Sequence, residues 1–94
     1  MELPLIAHGV KWNVRLSKSI HNEAYRKLIS ELIAARKAAG ITQQTLADGL
    51  GKPQSYVAKV EGFERRLDVV EYLTMAREIG MDPLPVIQAI WGSM

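Results

Sequence analysis

Cysteine is absent from the 94-residue chain, which excludes disulfides, thiolate nucleophiles and cysteine-held zinc and gives no sign of an oxidising compartment. Histidine occurs only at His8 and His21, too sparsely for a metal-ligand cluster or a catalytic triad, and both are expected to be solvated. Long hydrophobic runs are missing too. The first apolar stretch, Pro4 to Ala7, is far shorter than a signal-peptide core or the roughly twenty residues of a membrane span. Neither secretion nor membrane insertion is therefore expected, and the cytoplasm is the default location. With no phosphate-cradling glycine loop, internal repeat or low-complexity segment, the chain offers no catalytic residues, and no cofactor or metal is expected.

What is present fits a single domain, because a chain of this length supports one core and not two. The formal net charge of +2 is small, but its distribution is uneven. Residues 1–40 carry seven Lys/Arg against three Asp/Glu, and residues 61–94 carry three against six. A basic front and an acidic back suit a protein that lays one face on a polyanion, although randomly solvated surface charge would look similar.

From Asn22 onward the apolar residues recur with helical spacing. Tyr25, Leu28, Ile29, Leu32 and Ile33 form the stripe of a first helix, capped by Asn22 and ended by Gly40. Thr42 is the expected N-cap of a short second helix from Gln43 to Leu50, with Leu46, Ala47 and Leu50 inward, and Gly51 supplies the turn after it. Pro53 suits the first position of a third helix that Gly62 closes. Asp68 with Glu71 reads as a capping pair for a fourth, whose inward residues would be Val69, Tyr72, Leu73, Ala76 and Ile79, with Gly80 as its stop. Asp82-Pro83 opens a fifth that holds Val86, Ile87, Ile90 and Trp91. The extension over 1–21 differs. Val10, Trp12, Val14 and Leu16 alternate with polar residues at the period of a half-buried strand, which would pair with Pro4–Ala7 as a hairpin or with a second subunit. The expected organisation is thus an N-terminal β arm over 1–21 and an all-α domain over 22–94.

Two short helices joined by a glycine turn inside a helical domain make the unit that presents its second helix to a DNA major groove. Ala47 sits where those helices approach most closely and must be small. On the third helix Val57 and Val60 point one way, while Gln54, Ser55, Ala58 and Lys59 share the opposite face. Glutamine and lysine are among the side chains that reach base edges, glutamine bidentately to adenine and lysine to guanine acceptors.

The runs AAGITQQTLA, GKPQSYVAKVE, ERRLDVVEYL and AREIGMDP, at these separations, resemble the XRE family, the Cro and lambda-repressor-like helix-turn-helix regulators of bacteria and phages. The resemblance covers about seventy residues, from Tyr25 to Trp91, and implies a five-helix lambda-repressor-like fold that binds double-stranded DNA as a transcriptional regulator. It implies that Gln43 grips a phosphate, that Gln54, Ser55 and Lys59 face bases, and that Arg36 pairs with Glu61. Gln44, Lys52, Tyr56, Arg65 and Arg66 complete the candidate DNA-binding set. Tyr56 would bond a phosphate or cover the turn. Arg65 and Arg66 would contact phosphates or pair with Glu61, Glu64 or Asp68. Two positions depart from the family pattern. Phe63 stands where the family usually has glycine, so the loop leading to Arg65 and Arg66 is expected to take a different path, and Gly49 replaces a good helix former.

A homodimeric repressor is the expected form, since one recognition helix covers only a few base pairs. Trp12 and Trp91 are expected at packing or dimer contacts. The rival reading is an antitoxin that neutralises a partner toxin through its apolar surfaces and represses its own operon.

Overall fold

The computed structural model describes the backbone of residues 14–94 and side-chain surroundings from residue 23 on. Among the described residues five helices follow one another: α1 (Val14–Ala38), α2 (Gln43–Leu50), α3 (Gln54–Glu61), α4 (Val69–Ile79) and α5 (Leu84–Ser93). Among the described residues there is no strand, and no helix is long and apolar enough to cross a membrane.

The first helix begins eight residues before the expected cap, so Asn22 lies inside it and Val14 to Leu16 are helical rather than extended. Once a helix is nucleated, each added residue gains a backbone hydrogen bond, whereas a lone strand leaves its N–H and C=O groups unpaired. The rest of the expected hairpin, Pro4–Ala7 against Val10–Asn13, lies outside the described residues.

Most helix boundaries follow local chemistry. Thr42 caps α2 by accepting from the Thr45 N–H at 3.0 Å. Asp68 and Glu71 form a reciprocal capping box at the start of α4. Pro53 stands just before α3, as its N-cap, one position ahead of the expectation. Gly51, at φ 69°, takes the left-handed conformation that reverses the chain between α2 and α3, and the Lys52 N–H returns to the Ala47 carbonyl at 2.9 Å.

The core gathers Ile29 and Leu32 of α1, Leu46 and Ala47 of α2, Val57 and Val60 of α3, and Tyr72, Met75, Ala76 and Ile79 of α4. The buried stripe of α4 corrects the sequence expectation: Met75 is inside, while Val69 and Leu73 are 65% and 44% exposed. Residues 72, 75, 76 and 79 are themselves an i, i+3, i+4, i+7 set, so the apolar Leu73 and Met75 left two rotations of the helix compatible with one pattern. Met75 joins the shared core in the observed rotation, and the Tyr72 hydroxyl, inward in either, donates to the Pro83 carbonyl at 3.0 Å. Among the described helices α5 packs on α1 alone, and it buries none of its residues. Val86 and Ile90 are half-buried, and Trp91 is 75% exposed.

One polar contact crosses this core. Arg36, 7% exposed near the end of α1, donates through Nε to Glu61 Oε2 at 2.6 Å and through Nη2 to Oε1 at 2.9 Å, pinning the end of α3 to α1. Its Nη1 donates to the Ile41 carbonyl at 2.7 Å, so the same guanidinium holds the turn before α2.

Two stability predictions follow from these contacts. Arg36→Ala should lower the unfolding free energy by about 3 kcal/mol or more, the cost of leaving a buried charge without its partner, whereas an exposed pair would cost about 0 to 1. Denaturant midpoints for Arg36→Ala, Glu61→Ala and the double variant should show a strong non-additive coupling. At Gly49 an added Cβ would meet only the carboxylate end of the exposed Glu78 side chain, which can swing away. Gly49→Ala should therefore stabilise the protein by up to about 1 kcal/mol through helix propensity, read as a higher denaturant midpoint.

Candidate nucleic-acid interface

The α2–turn–α3 unit is anchored on one side and open on the other. Val57 and Val60 are fully buried against the core, which leaves Gln54, Ser55 and Lys59 exposed on the outer face of α3. Ala58, expected on that outer face, is half-buried at its edge. Ala47, also fully buried, lets the two helices approach closely.

The structure joins residues that the sequence treated separately. Gln43, at the start of α2, donates through Nε2 to Glu61 Oε1 at 2.9 Å, and its own Oε1 accepts from Gln54 Nε2 at 2.7 Å. A continuous chain of hydrogen bonds thus runs from the buried Arg36–Glu61 pair through Gln43 to Gln54 on the exposed face of α3. Gln44 points elsewhere and donates to Asp48 Oδ1 at 2.8 Å within α2.

A second group surrounds Tyr56. The Lys52 ammonium lies 5.2 Å from its ring centroid and the Arg65 guanidinium 4.8 Å, so two cations share one aromatic ring. Burial, reinforced by the nearby Glu71 carboxylate, pushes the Tyr56 hydroxyl above its ordinary range and keeps it a neutral donor. Arg65 does not pair with Glu61, Glu64 or Asp68. It forms a bidentate contact with Glu71, at 3.1 and 3.0 Å, and also donates to the Arg66 carbonyl. The hydrogen bond from Arg65, followed by that from the Asp68 N–H, draws the Glu71 carboxyl below the usual carboxylate range. Arg66 stacks on Tyr25 at 4.2 Å, and the Tyr25 hydroxyl accepts from the Leu67 N–H.

The loop after α3 corrects another expectation. Gly62 is not the left-handed residue; Phe63 is, at φ 62°. The Phe63 N–H returns to the Val60 carbonyl and the Glu64 N–H to that of Lys59, the pair of bonds that closes a helix through a left-handed residue. The chain therefore follows the ordinary turn with a phenylalanine in the glycine position, at a local cost of about 1–2 kcal/mol. The ring is covered by Arg26 of α1, whose guanidinium lies 4.6 Å from its centroid. Arg26 did not stand out in the sequence, and Glu71 did so only as a capping residue, because Phe63 and Arg65, their partners here, lie on another element and no fixed spacing marks those contacts.

These features make a rigid polar face bordered by cations, suited to phosphates at its rim and base edges at its centre. Among the described residues no group of three or more His, Cys, Asp or Glu side chains is placed to hold a metal.

Known proteins match this architecture. The family model described as helix-turn-helix matches residues 32–83, which spans α2, α3, α4 and the last turns of α1. Among solved structures, an XRE-family like protein from Pseudomonas syringae pv. tomato str. DC3000 is 47% identical, with a TM-score of 0.79 over 84% of this chain and 96% of that one. No curated protein matches the chain. With the helix-turn-helix in place, its outer face open and more than half of the sequence matched, the chain belongs to the XRE family of DNA-binding helix-turn-helix regulators.

Proposed function

We propose that the protein is a cytoplasmic, homodimeric repressor that binds a specific double-stranded DNA operator with α3 in the major groove. The observation that carries this reading is the outer face of α3. Gln54, Ser55 and Lys59 are exposed on a helix whose opposite side is fully buried and whose end is pinned by an ion pair. A base-reading helix needs this rigidity, because hydrogen bonds to base edges lose their discrimination when the donor can wander. Gln43, Gln44, Lys52, Tyr56, Arg65 and Arg66 supply the phosphate contacts that set register. Repression is the direct consequence of occupying the operator, since other proteins that need the same DNA are then excluded.

Dimerisation is supported by α5. Its ten residues and the following Met94 carry no charged side chain, and α5 buries none of its side chains, leaving Leu84, Ile87, Trp91 and Met94 exposed. An apolar groove of about 270 Å³ runs between α1 and α5, lined by Tyr25, Leu28, Ile87, Ile90 and Trp91 among others. Trp91 both borders this groove and stands out from it, so one surface offers a knob and a hole, as a two-fold contact between identical chains requires. An antitoxin would use such a face for a different protein, and the two readings part experimentally.

Gln54→Ala should lose about 1–3 kcal/mol on the selected operator and much less on random duplex, with relaxed preference at one or two base pairs. Binding at one fixed salt concentration to the operator, its single-base variants and random DNA checks this, and equal losses on every sequence would remove the base-reading role. For the dimer, sedimentation at micromolar concentration should give twice the chain mass, and Trp91→Ser should shift it toward monomer. The best operator should contain two half-sites roughly 34 Å apart. A monomer that instead co-purifies with one stoichiometric protein would replace the repressor dimer by the antitoxin reading.

A further inference from the structure

We propose that Arg26, on α1 and outside the helix-turn-helix, binds a phosphate of the DNA backbone, and that the ring of Phe63 holds its guanidinium in place for that contact. The proposal rests on the reading that α3 enters a major groove, and it adds an anchor from a helix to which that reading gives no role on DNA.

Among the described residues Phe63 is the only one other than glycine with a positive φ, at 62°. A bulky side chain is disfavoured there, whereas glycine takes the same turn freely. Burial does not offset the strain, because the ring stays 37% exposed and lies outside the shared core. What the ring does meet is the Arg26 guanidinium, 4.6 Å from its centroid. Strain held at an exposed position, with no gain in core packing, points to a residue kept for a contact and not for the fold.

The stack leaves Arg26 able to bind an anion. A guanidinium rests on a ring through its flat face, and its N–H donors lie in its own plane, so stacking restrains the group without consuming them. Among the described residues the ion pairs are Lys27–Glu31, Arg36–Glu61 and Arg65–Glu71, and none of them involves Arg26. Arg65 shares its charge with Glu71, whereas Arg26 keeps a full positive charge on a side chain already restrained. Such a group loses little further freedom when it meets a phosphate, which it matches with two parallel N–H donors.

The surroundings of Phe63 lie against the recognition helix. The N–H groups of Glu64 and Arg65 both return to the Lys59 carbonyl, at 2.8 and 3.2 Å, which folds the loop back onto the last turn of α3. Arg66 stacks on Tyr25, the neighbour of Arg26 on α1. Two guanidiniums are thus laid on aromatic rings where α1 meets this loop, at the edge of the face that α3 turns to the bases. A contact of this kind strengthens binding to every sequence equally, because a phosphate carries no base identity.

The test measures binding to the selected operator and to random duplex over a range of salt concentrations, with a denaturant midpoint for each protein. Arg26→Gln should weaken both duplexes by the same factor, about three- to tenfold at one salt concentration, and lower the slope of log K against log salt by about one unit. The control Arg77→Gln, which removes a cation from α4 beside Gly80 and Met81, should leave the slope unchanged. Phe63→Leu keeps the bulk and the strain but has no ring, and should weaken both duplexes by about threefold. Phe63→Gly should do the same while raising the denaturant midpoint, so that the more stable protein is the weaker binder. Added to Phe63→Gly, the Arg26→Gln change should have a smaller effect than in the wild type. If Arg26→Gln alters affinity and slope no more than Arg77→Gln does, Arg26 touches no phosphate and the proposal is overturned, while base reading is judged separately by Gln54→Ala. If Arg26→Gln weakens binding but both Phe63 variants bind as the wild type does, the ring does not hold the guanidinium and the proposal fails in that half. If the wild type binds no duplex at all, the DNA reading fails and this contact with it.

Discussion

The placement of α3 depends on one guanidinium. Arg36 reaches from α1 to both oxygens of Glu61 at the end of α3 and to the carbonyl of Ile41 just before α2, and Glu61 is also bonded by Gln43 at the start of α2. The two charged side chains retain 9% and 11% exposure, so much of their attraction is offset by the loss of hydration. Their contribution is therefore geometric before it is energetic. The apolar contacts of Val57 and Val60 hold α3 on the core but tolerate sliding and rotation, as dispersion and hydrophobic burial are non-directional. The bidentate bond removes that freedom and leaves the outer face in a single orientation.

The sequence showed the local parts of this arrangement more clearly than the long-range ones. Gly40, Gly51 and Gly80 mark turns because their left-handed φ values are costly for other residues, and Thr42, Asp68 and Glu71 mark helix starts because their side chains satisfy N–H groups a few positions away. The rotation of α4 was harder to read, since Leu73 and Met75 are equally apolar and only tertiary contact separates them. The strand expected up to Leu16 met a helix already running at Val14, because alternation over a few residues specifies less than the propagation of a long helix. At the site, no local pattern points from Arg36 to Glu61, twenty-five positions away, and that pairing came from family resemblance. The bond between Gln54 and Gln43 depends on how α2 and α3 cross, which spacing alone does not encode.

Phe63 shows a turn keeping its geometry after losing its usual residue. The backbone path is set by two returning hydrogen bonds, to Val60 and Lys59, and these outweigh the preference of a phenylalanine for negative φ. Arg26 lies across the ring and shields part of it from water. The departure from the family pattern thus adds a cation-covered aromatic beside the loop that carries Arg65 and Arg66.

The manner in which α5 is attached bears on how the molecule opens. Helices α2, α3 and α4 share buried residues in one core, whereas among the described helices α5 touches α1 alone and contributes nothing to that core. Such an element can detach without dissolving the remainder, as a sub-global unit whose opening free energy lies well below that of the whole domain. Its amide protons will then exchange with solvent ahead of those in α3, and a partner seated on the α1–α5 groove will slow them. Ordering of α5 and the seating of any partner on that groove then become one linked equilibrium, tuned by the partner's concentration, while α2 and α3 keep their packing on the core.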